Sequence, residues 1–122
     1  MTGAVLAAAA LLLPQPQPMT CSYYGPGFHG RTTASGEPFD MHALTAASPG
    51  LPFGAVLLLE RDGRRVAVLC NDRGPFAVDS TGVAVWPLRP HPVRQLDLSA
   101  GAMKALGGIS AGIIQARAWR LE

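Results

Sequence analysis

At 122 residues the chain is near the size of one ordinary domain, which leaves no room for a second core of comparable size. With 48% hydrophobic and only 15% charged residues it is not a disordered acidic or basic tail, and 14 glycines with 11 prolines exclude a bundle of long helices in favour of many turns and short elements. A formal charge of +2, with arginines scattered except for Arg61, Arg64 and Arg65 around a turn, excludes the clustered basic stripe used to grip nucleic acid.

In chain order, Ala4 to Leu13 reads AVLAAAALLL, about the length of a signal-peptide apolar region and short of the roughly 20 residues that span a bilayer. No Lys or Arg precedes it and no small-x-small cleavage site follows. The reading is export, with an uncleaved apolar tail that docks on a partner as the alternative. The stretch PQPQP, residues 14–18, is a stiff linker. Residues 1–18 are therefore set apart from a domain at 19–122.

CSYYG, Cys21 to Gly25, predicts a short strand closed by a Gly-Pro-Gly turn. From Phe28 to Gly54 no period of 2 or 3.6 is sustained, which predicts a long ordered loop with brief strand pieces; such a loop in a compact domain calls for a functional explanation. AVLLLE and RRVAVLCN flank Asp62-Gly63, the turn pair of a two-residue hairpin. The excursion from Val78 to Gln95 carries three prolines and a weak strand at Val83 to Trp86. QLDLS then predicts a strand running into a helix over AGAMKAL, with Ser99 as its cap and Gly107-Gly108 as its stop. In GIIQARAWRL, Ile114, Ala116 and Ala118 alternate with Gln115 and Arg117 as in a half-buried strand. Six short strands and one helix suit a small closed barrel, which leaves no free edges.

Cys21 and Cys70 lack the paired spacing of a zinc site. In an oxidising compartment they can bond, closing a loop of about 50 residues worth roughly 4 kcal/mol in the chain-entropy model. The other reading is two separate buried thiols. The bridge is favoured because each cysteine lies in a predicted strand leading into a candidate site loop.

SYYGPGFHGRTTASGEPFDMHALTAA, LPFG, NDRGPF and LDLSAGAMKALGG, in this order, resemble the rare lipoprotein A-like domain over nearly all of the chain from Cys21 onward. The resemblance implies a mainly β fold, a six-stranded double-psi β-barrel with one short helix near the C-terminus. It also implies an exported, envelope-associated protein that binds or cleaves bacterial peptidoglycan, some members being lytic transglycosylases. Position by position it implies site acids at Glu37 and Asp72. Where the family commonly has a histidine after LTAA this chain has Ser48, which cannot titrate near neutral pH; His42 is a weak substitute. The excursion at 78–95 is longer than the family's usual link.

A lytic transglycosylase needs one acid that protonates the leaving oxygen and then serves as base, whereas hydrolysis needs two flanking carboxylates. Asp72 fits the single-acid role in a partly apolar groove, because desolvation disfavours the charged form of a carboxyl. Against this stands a purely structural Asp72 that bonds the RGP backbone or pairs with Arg73. Tyr24 and Phe28 are candidate sugar-stacking rings, with His29, Ser48 and Arg73 as further candidate substrate contacts. Asp97 reads as a residue that satisfies backbone donors. No metal or cofactor is implied, and the expected partner is the peptidoglycan glycan strand. A catalytically silent binding or structural module is the alternative function.

Overall fold

The computed structural model describes residues 15–121. The expectations for the apolar stretch Ala4 to Leu13, including export and docking through it, lie outside the described residues. The elements are β1 (Gln17–Tyr24), β2 (Thr45–Ala47), β3 (Val56–Arg61), β4 (Arg64–Asp72), β5 (Leu96–Ser99), α1 (Ala100–Ala105) and β6 (Ile114–Leu121). The strands close in the order β1-β5-β2-β4-β3-β6. β1 runs parallel to β5 and β2 parallel to β4, while every other neighbouring pair is antiparallel. This is the double-psi β-barrel.

Local chemistry explains the best-defined wall. Asp62 and Gly63 both take positive φ, 50° and 78°, as a tight hairpin turn requires, and this sets Arg61 opposite Arg64 and Leu59 opposite Val66. Along β4 the buried Val66, Val68 and Cys70 alternate with outward Arg65, Ala67 and Leu69. Leu57 and Leu59 of β3 and the small Ala116 and Ala118 of β6 share one buried cluster with Leu96, Leu98 and Ile114. α1 adds Ala102 and Met103, and Leu106 follows at its C-cap; a fully buried Leu or Met side chain contributes about 1.5–3 kcal/mol before entropy. As predicted, the Ser99 hydroxyl caps the helix by accepting from the Ala102 amide at 3.1 Å, and it donates to the Ala43 carbonyl at 2.5 Å.

Three expectations change. The sixth strand is Thr45–Ala47, inside the long loop, and not Val83 to Trp86, where Val83 and Trp86 stay exposed and only an isolated Val78–Ala84 bridge forms. Three residues are too few to display an alternation. β1 starts at Gln17, so the second half of the Pro/Gln stretch is strand. Pro18 is tolerated because it pairs only with β6, the pairing with β5 beginning at Cys21. The disulfide is also corrected: Cys21 and Cys70 are free buried thiols. Their strands stand on opposite sides of the barrel, with β5 and β2 between them one way and β6 and β3 the other. Each thiol donates instead to nearby carbonyls, Cys21 to Met19 and Cys70 to Leu51.

Candidate functional site

The parallel pairs bring their chemistry to one mouth of the barrel. β1 ends at Tyr24 and β4 at Asp72, while β5 carries Asp97. Ala47 of β2 is the hub, in register with Asp72 on one side and Asp97 on the other. Adjacent strands lie about 4.8 Å apart, so the two aspartate backbones are roughly 10 Å apart across β2. A bulge decides which way Asp72 points. Ala46 pairs with Cys70 but Ala47 with Asp72, leaving Asn71 as the extra residue. By strict alternation Asp72 would follow Val66, Val68 and Cys70 inward, and the inserted residue turns its carboxyl to the mouth.

Among the described residues the Asp72 carboxylate accepts three hydrogen bonds, all from neutral donors. Its Oδ1 accepts from the amides of Ala34 and Arg73, both at 2.9 Å, and its Oδ2 from the Tyr24 hydroxyl at 3.2 Å. The turn-shaping contacts hold one oxygen through the main chain, and the Asp72 side chain also lines an open cleft. That cleft, of about 150 Å³, is lined by Tyr24, Phe28, Ala47, Asp72, Arg73 and Asp97. Two larger hollows, of about 330 and 310 Å³, flank β1 but carry no carboxylate.

The long loop after β1 reaches back to build this wall. Thr33 accepts Gly36 and donates to Glu37 through backbone and side chain, and the resulting tight loop presents the Ala34 amide to Asp72 and the Ser35 amide to the Asn71 carbonyl. Tyr24 is stacked on Phe39 at 4.2 Å and meets Phe28 edge-on at 5.6 Å. Burial, then the Asp72 charge and its hydrogen bond, then the Asp97 charge push the Tyr24 phenol well above its ordinary range, so it is a donor at neutral pH.

The other candidate residues divide clearly. Phe28 is half exposed on the cleft rim, and the Arg73 guanidinium lines the cleft and reaches the Asp72 carbonyl at 3.5 Å, not its carboxylate. The Arg73 guanidinium donates to the Leu51 carbonyl at 2.8 Å and stacks over Phe53 at 3.9 Å. Glu37 is exposed and is not among the lining residues, its recorded contacts running through its backbone carbonyl. Ser48 is buried and accepts from the Gly50 and Leu51 amides, so its hydroxyl shapes a turn, although its own amide donates to the Asp72 carbonyl. His29 accepts the Met41 amide within the loop and His42 lies beside it, both away from the cleft lining. Among the described residues no group of three or more His, Cys, Asp or Glu is placed to hold a metal ion.

Asp97 departs from the expectation that it satisfies backbone donors. It lines the cleft and meets side chains, accepting from the Ser22 hydroxyl and pairing with Arg94 at 3.6 Å. The signal was the alternation in LDLS, which buries Leu96 and Leu98 and so sends Asp97 the other way.

Fold and site together define a double-psi barrel with a carboxylate-bearing cleft at one mouth. The family model described as "Lytic transglycolase" matches residues 19–118, and the chain belongs to that family. It is 49% identical over 94 residues to "Probable endolytic peptidoglycan transglycosylase RlpA" of Synechocystis, covering 75% of this chain and 25% of that protein. It is 40% identical over 111 residues to the protein of the same name in Treponema pallidum, covering 89% and 30%. With "Endolytic peptidoglycan transglycosylase RlpA" of Campylobacter jejuni the identity is 38% over 98 residues, covering 79% and 30%. The chain thus spans about a quarter to a third of the length of these curated relatives. Among solved structures the Streptomyces papain inhibitor matches with a TM-score of 0.58 at 24% identity, covering 88% of this chain and 96% of its own, a likeness of fold.

Proposed function

We propose that this chain cleaves the MurNAc-GlcNAc bonds of peptidoglycan by lytic transglycosylation, with Asp72 as the single acid and base, in the cell envelope. The observation that carries the reading is Asp72 itself, which lines an open cleft and has only neutral donors on its carboxylate. The names of the relatives point the same way.

In this reaction the carboxyl proton of Asp72 passes to the glycosidic oxygen as the bond from the MurNAc anomeric carbon breaks. The C6 hydroxyl of the same sugar then attacks that carbon, and its proton returns to Asp72. No water is consumed and the product is a 1,6-anhydro sugar. Tyr24 steadies the reacting oxygen, while Phe28 and Arg73 supply the rim against which a glycan lies. Ser48 has no proton-transfer role here, since its hydroxyl is engaged in a turn.

The test is digestion of purified sacculi with mass spectrometry of the released fragments. Wild type yields anhydro-muropeptides and Asp72→Asn does not, with the fold unchanged by circular dichroism. Pelleting with cell wall but yielding no fragment would leave a binding module, and reducing-end products would point to hydrolysis.

A further inference from the structure

Asp97 occupies the cleft from the opposite side of Ala47, and nothing in the single-acid scheme uses it. Its surroundings differ from those of Asp72. The Ser22 hydroxyl and the Arg94 guanidinium both approach Oδ1, as they would an acceptor-only carboxylate. The Arg94 Nη1 also donates to the Ser22 hydroxyl at 2.7 Å, so the three groups lock one another. Oδ2 has no hydrogen-bond donor among the described residues. It lies toward Gly74, where a Cβ would come no closer than 3.9 Å and a φ of 122° favours glycine. A carboxylate fixed through one oxygen, with the other free of donors among the described residues, thus lines the same cavity as Asp72.

When the glycosidic bond breaks, positive charge spreads over the anomeric carbon and ring oxygen of the sugar. An anion already in place stabilises that charge with no reorganisation at the moment of reaction, and in a partly dry cleft the effect is stronger than in water. We infer that Asp97 is a second catalytic carboxylate, which stays unprotonated and stabilises the cationic sugar while Asp72 moves the proton. Ser22 and Arg94 are its positioning residues. The inference rests on the proposed reaction, but its electrostatic content can be measured without turnover.

The experiment is calorimetric binding of two ring analogues attached to the same GlcNAc oligomer, one an iminosugar with a protonated ring nitrogen and the other its neutral carbocyclic counterpart. Wild type binds the cation more tightly, and Asp97→Asn cuts that preference by about tenfold or more, as loss of a nearby unit charge requires. Affinity for the neutral analogue changes by less than about threefold. An unchanged preference in Asp97→Asn, or equal weakening of both analogues, overturns the inference. So does a wild type with no preference, whether or not the variant folds. A strong, Asp97-dependent preference without anhydro products would sustain this inference while ending the proposed function. Anhydro products without the preference would do the reverse.

Discussion

Glu60 on the antiparallel wall and Asp72 at the mouth of the barrel are held in opposite ways. On the antiparallel wall, Glu60 of β3 takes Arg65 from the adjacent strand at 2.7 Å and Arg117 from β6 on the other side. Hydrogen bonds from Arg117 and then Arg65 pull the Glu60 carboxyl below its usual range. At the mouth, Asp72 has hydroxyl and amide donors and no cation in ion-pair contact among the described residues. A carboxylate neutralised by two guanidinium groups is a fastener. One held by neutral donors at an open cleft is placed as the role proposed for Asp72 requires.

The comparison breaks first at Asp72. Asp72→Asn lowers release of anhydro products by about a thousandfold, the middle of the range for a lost general acid, and leaves the melting temperature within a few degrees. Leu59→Ala, in the fully buried core of the antiparallel wall, does the converse. It costs about 3 kcal/mol of stability by denaturant titration, and turnover per folded molecule stays at the wild-type level.

Cys21 sharpens the division from within. Burial, and then the Asp97 charge, raise its thiol from 9.0 to about 12. The unfolded chain releases this proton near pH 9 while the folded chain keeps it, so the folded state binds more protons through that window. The contribution is complete below pH 9 and is lost as pH climbs toward about 12. At pH 10 the loss is about 1.4 kcal/mol, which Cys21→Ser removes from the pH dependence of unfolding.

Tyr24→Phe deletes the hydroxyl bonded to Asp72 but keeps the ring stacked on Phe39. Turnover should fall by about tenfold with binding of the glycan retained, read as kcat against KM. The smallest effect is expected from Glu60→Gln, a surface change. Its signature is in acid: wild type loses the Glu60 contribution as pH falls below the ordinary 4.5 through the lowered folded-state value, and the variant lacks that component.

The Asp62-Gly63 hairpin, the Ser99-capped helix and the alternation in β6 were legible in the sequence, because each is set by neighbours a few residues apart. That Asp72 is a candidate acid came from the order and spacing of motifs that carry the family resemblance, and the fold places it in the cleft lining. Glu37 was legible as a residue type but is placed outside the cleft, while Asp97, read as a backbone partner, lies within it.

What the sequence by itself determined is the set of local elements and the acid at the end of β4. Pairing across the barrel decided the rest: that Cys21 and Cys70 stand on opposite sides, that Thr45–Ala47 is a strand, and that Ala47 has an aspartate on either flank. The direction in which Asp72 faces depends on one unpaired residue, Asn71, in a parallel ladder. Such a bulge is defined only relative to the partner strand, so no period within β4 alone can announce it.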